Sequence, residues 1–102
     1  MKPNDVFIQD TVGWIYFKKG KYEEAMKVLE AAFATKSDES VIAEHLGDTY
    51  YKLKLPQKAK SMYQKAVKYE TDSDNIRKIE SKITSIEQAE KGLRVPASLS
   101  DM

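Results

Sequence analysis

The chain has 102 residues, 41% of them hydrophobic and 32% charged, with 17 Lys and Arg against 16 Asp and Glu. That length holds one small domain rather than two, the composition excludes wholesale disorder, and a formal charge of +1 excludes the strong field of a general binder of nucleic acid or anionic membranes. Without cysteine there is no disulfide framework, thiolate metal site or cysteine nucleophile.

The opening "MKPNDVFIQD" lacks the apolar run of a secretory signal, and no stretch is long and apolar enough to insert in a membrane. As written, the chain is expected in the cytoplasm, unless it is a piece of a longer exported protein.

The first helix is expected where Ile8, Val12, Ile15 and Tyr16 recur at helical spacing as its core stripe. Gly20 breaks it, and a second helix follows with Tyr22, Ala25, Met26, Leu29, Ala32 and Phe33 on one side. Ile42, Leu46 and Tyr50 define a third helix. Lys54 stands where Gly20 ended the first, so this turn should be less relaxed. Pro56 then starts a fourth helix, where its missing N–H costs nothing, with Ala59, Met62, Tyr63, Ala66 and Val67 inward. After "ETDSDN", Ile76, Ile79, Ile83 and Ile86 form a single apolar stripe on a fifth helix. Gly92 is expected to end that helix, leaving 92–102 as a mobile tail.

The first four helices repeat. Gly13 and Gly47, Tyr16 and Tyr50, Lys18 and Lys52, Ala25 and Ala59, and Ala32 and Ala66 are each separated by 34 positions. Each unit, about 5–37 and 39–71, reads as an antiparallel helix pair. A mid-helix glycine costs about 1 kcal/mol relative to alanine, and the expected return is close approach by a bulky residue of the partner helix.

These units resemble tetratricopeptide repeats, whose pattern is W-x2-L-G-x2-Y, then A-x3-F, then P, over 34 residues. "VGWIY" matches through Val12, Gly13 and Tyr16, and "LGDTY" through Leu46, Gly47 and Tyr50. Ala25 with Leu29, and Ala59 with Tyr63, carry the A-x3-F element. The opening Trp falls on Gln9 and Ala43 and the closing Pro on Ser37 and Thr71, so both units depart from the pattern at their ends. The resemblance implies an all-α superhelix, a solenoid of antiparallel helix pairs with about five helices in all. Residues 1–72 would form the two repeats and 73–91 a capping helix, because each repeat buries its faces only on a neighbour.

The resemblance also implies a function: a scaffold whose concave face, lined by the first helix of each repeat, binds another protein or a peptide. Carried over by position, that groove comprises Phe7, Asp10, Trp14, Phe17, Lys18, Val41, Glu44, Asp48, Tyr51 and Lys52. Family members that bind chaperone tails grip a terminal carboxylate with Lys, Asn and Arg. Here Asp10, Trp14, Glu44 and Asp48 occupy that face, so a ligand pairing an apolar residue with Lys or Arg suits it better. Phe7, Trp14 and Phe17 lie about 100° from the expected core stripe. They line the groove, pack on a preceding repeat, or pair with a second copy through the uncapped first helix. The last case would make the chain a self-assembly module with no separate ligand.

Catalysis is not expected. His45 is the only histidine, which rules out a histidine-paired metal site, and neither a strained nucleophile turn nor a glycine-rich phosphate loop is visible. No cofactor, metal or nucleic acid is expected.

Overall fold

The computed structural model describes residues 5–100, with the side chains of 93–100 left outside the description. It contains five helices: α1 (Val6–Lys18), α2 (Tyr22–Thr35), α3 (Ser40–Lys52), α4 (Pro56–Tyr69) and α5 (Ser73–Ser100). α1 packs against α2, α3 against α4, and the pairs join through α2 and α3; α5 then covers α4. The result is an all-α superhelix of stacked helix pairs.

Local chemistry sets the helix ends. The Asp5 carboxylate accepts hydrogen bonds from the Phe7 and Ile8 amides at 2.8 and 3.3 Å, satisfying donors that a helix start leaves free. Pro56 occupies the first turn of α4. Before α5, Glu70 accepts from the Thr71 and Asp72 amides and Asp72 from the Asn75 amide. Both intra-pair turns use a left-handed residue, Gly20 at φ 78° and Lys54 at φ 63°, so lysine adopts in the second repeat a conformation that glycine adopts at little cost.

The two mid-helix glycines pack as the spacing predicts. A β-carbon on Gly13 would fall 2.6 Å from Leu29 Cγ, and one on Gly47 would fall 2.6 Å from Tyr63 Cε1. Leu29 and Tyr63 are the large members of the two A-x3-F elements, and Ala25, Leu29, Ala32, Ala59, Tyr63 and Ala66 are all buried. Small against large at one period thus sets the closeness of each pair.

One expected core stripe is only half inside: Ile8 and Tyr16 are partly buried, Tyr16 against the core. Val12 and Ile15 are 40% and 50% exposed, while Val6, Asp10 and Gly13 are the buried positions of α1. Their counterparts one period later, Leu46 for Val12 and Thr49 for Ile15, are buried because α2 packs on α3, and no helix among the described residues packs on that side of α1. The glycine side is buried because it receives Leu29 at contact distance.

In α5, Ile79 and Ile86 are fully or almost fully buried, and Ile76 and Ile83 are partly buried. The helix continues past Gly92 to Ser100, where the sequence suggested a stop; a single glycine inside a helix costs only about 1 kcal/mol. The tail expected over 92–102 lies almost entirely outside the described side chains.

Candidate functional site

The first helix of each pair and α5 stand side by side, and polar side chains link them. Between α1 and α3, His45 Nδ1 lies 2.8 Å from Asp10 Oδ1. The Trp14 ring stacks on His45 with centroids 4.0 Å apart, and on Phe17 at 4.4 Å. Phe17 in turn meets the edge of Tyr22, and Lys18 Nζ sits 5.4 Å over the Trp14 ring. Asp10 is buried in this cluster, so it serves the junction between repeats and offers no carboxylate to a ligand.

Between α3 and α5, Lys82 Nζ lies 2.8 Å from Glu44 Oε2 and 3.0 Å from Asp48 Oδ1. Burial alone would lower the Lys82 pKa, but its hydrogen bonds to the two carboxylates outweigh burial and hold it above the ordinary lysine value. Asp48 also accepts a hydrogen bond from the Tyr63 hydroxyl. That phenol is held well above the usual tyrosine range, first by burial and then by the bond to Asp48. Tyr50 is held up in the same way by burial and by its bond to Glu30.

These contacts surround a hollow of about 310 Å³ lined by Asp48, Tyr51, Tyr63, Lys82, Ser85 and Ile86. Tyr51 is half-exposed at its rim. Of the other positions expected in the groove, Phe7, Val41, Lys18 and Lys52 are exposed, Trp14 and Phe17 are half-buried in their own stack, and Glu44 and Asp48 are half-buried against Lys82. Of the second repeat's expected positions the hollow takes in Asp48 and Tyr51, while Val41, Glu44 and Lys52 lie outside its lining, and the first repeat's ring cluster is tied to His45.

The groove positions named from sequence included neither His45 nor Lys82. The period holds the signal for both: Lys82 lies 34 positions after Asp48, and His45 lies 35 after Asp10. Neighbouring first helices thus present facing positions about one repeat apart, where a basic side chain can meet a carboxylate.

Among the described residues, no group of three or more His, Asp and Glu is placed to hold a metal ion, and no helix is long and apolar enough to cross a membrane.

Stacked helix pairs repeated at one period, with glycine-mediated packing inside each pair, define a short helical-repeat scaffold. The sequence model of the tetratricopeptide repeat family matches residues 16–83, about two thirds of the chain, and the chain belongs to that family. Its fold is also that of a tetratricopeptide repeat domain protein from Salinibacter ruber solved by NMR. The TM-score is 0.78 and the identity 19%, over 89% of this chain and 95% of that one. Comparison with the curated proteins returned no match. The family fold is a general scaffold for protein–protein interaction.

Proposed function

We propose that this chain is a non-catalytic adaptor that holds a segment of another polypeptide on the face shared by α1, α3 and α5. The observation that carries the reading is Tyr51, a large aromatic ring 52% exposed at the mouth of a hollow whose wall is Tyr63 and Ile86. Exposed aromatic rings beside a preformed hollow are favoured anchors, because they bury a large area at small entropic cost. The occupant inserts an apolar side chain there. Its neighbouring residue is Lys or Arg, since Glu44 and Asp48 are two carboxylates sharing one ammonium, and a second cation balances the group. Phe7, Val41 and the Trp14–Phe17 stack extend the face along α1 and α3.

The test is selection from a displayed library of random peptides, followed by titration of the recovered peptides against variants. Tyr51→Ala and the pair Glu44→Lys with Asp48→Lys should each weaken binding at least tenfold, an effect of about 1.4 kcal/mol. Circular dichroism identifies any variant that has lost its fold. Peptides that bind all variants equally, or that carry no basic residue, would contradict this assignment.

A further inference from the structure

The outer side of the first repeat carries a second surface. Ile8, Gln9, Val12, Lys27, Val28 and Ala31 line a hollow of about 390 Å³ between α1 and α2. One period later, the counterparts of Ile8, Val12 and Ile15 are Ile42, Leu46 and Thr49, which are 0%, 2% and 0% exposed where α3 packs on α2. Val28 answers Met62, also buried. The edge thus has the apolar pattern of an internal repeat junction, with no helix of the chain upon it among the described residues.

We propose that this edge docks an amphipathic helix of another polypeptide, seated on α1 as α2 is seated on α3. Internal symmetry supplies the chemistry of the occupant. At the internal junction the Tyr50 hydroxyl donates to Glu30 of α2; Tyr16 is the counterpart of Tyr50, so the docked helix places a carboxylate there. Lys27 asks for the same charge, since the hollow's lining contains one cation and no acid. Gln9 replaces Ala43, which adds a polar group within the apolar face.

A second copy of this chain fits poorly. At its other end α5 turns Arg77, Glu80, Ser81, Thr84 and Glu87 outward, a polar surface that cannot fill an apolar hollow. Pairing two identical edges about a two-fold axis brings two Lys27 ammoniums into one interface and no carboxylate from either hollow's lining.

The probe is a helix-stapled, fluorescent peptide with the sequence of residues 21–36, "KYEEAMKVLEAAFATK", the segment that covers α3 internally. It should bind the full chain saturably by fluorescence anisotropy. Val12→Asp with Ile15→Asp, both exposed and so tolerated by the fold, should weaken it tenfold or more. Tyr51→Ala should leave this binding unchanged, separating the edge from the groove. Absence of saturable binding overturns the proposal, as does binding that the double variant retains. Sedimentation showing a dimer that the double variant dissolves also overturns it, because the occupant is then the chain itself.

Discussion

Gly47→Ala should destabilise the protein, although alanine is the better helix former. A β-carbon at Gly47 would lie 2.6 Å from Tyr63 Cε1 and 2.7 Å from Cδ1. The ring has little room to yield, being 3% exposed with its hydroxyl bound to Asp48. Overfilling a packed site costs about 1–3 kcal/mol, while removing a glycine from a helix interior returns about 1 kcal/mol. With the hydroxyl held by Asp48 and the ring buried, the cost lies in the upper part of that range, about 2–3 kcal/mol, and the balance is a net loss of about 1–2 kcal/mol. For a domain of this size each kcal/mol moves the melting temperature by about 4–8 °C. Urea titration followed by far-ultraviolet circular dichroism measures the loss directly, provided the transition is two-state. Gly92→Ala is the control: among the described residues nothing lies within 4 Å of its added carbon, so it should be neutral or stabilising by up to about 1 kcal/mol. In a Tyr63→Phe background the ring loses its anchor, and the penalty of Gly47→Ala should shrink. A Gly47→Ala protein as stable as its parent would refute the claim that backbone and ring are in closest contact.

Lys54→Gly should stabilise the chain by roughly 0.5–1 kcal/mol, because relief of the left-handed strain exceeds the entropy that glycine adds to the unfolded state; a lower urea midpoint would refute this. Tyr50 and Tyr63 should make stability alkali-sensitive. Their hydroxyls hold protons in the fold beyond the ordinary tyrosine pKa of about 10. Their contribution is therefore full below that value and declines as pH rises through it toward their folded pKa values, where unfolded phenols ionise first. Urea midpoints measured from neutral to alkaline pH should fall, and Tyr63→Phe should lessen the fall; a flat profile would count against these buried hydroxyls.

The two interfaces between first helices differ in chemistry while sharing geometry. At one, His45 reaches back to Asp10 beneath a stacked tryptophan; at the other, Lys82 reaches back to Glu44 and Asp48. The acidic character expected of the groove is therefore reduced from within. Asp10 is withdrawn into the junction, and the remaining carboxylate pair presents a partial charge balance in place of two free anions. Any cation that binds there sits beside Lys82 or displaces it.

Much of this was legible in the chain itself. A 34-residue period links Gly13 to Gly47 and Ala25 to Ala59, and with helical spacing inside each unit it specifies paired helices, their packing partners and the family. Those properties are local or periodic, so one sequence suffices to state them. Tertiary structure alone decided that Val12 and Ile15 stay exposed while their counterparts Leu46 and Thr49 are buried, because α2 packs on α3 and no helix among the described residues packs on that side of α1. It also decided how the carboxylates of α3 are balanced. Glu44, Asp48 and Lys82 meet only once α5 is laid along the stack, and the energy of a carboxylate depends on a partner 38 or 34 residues away.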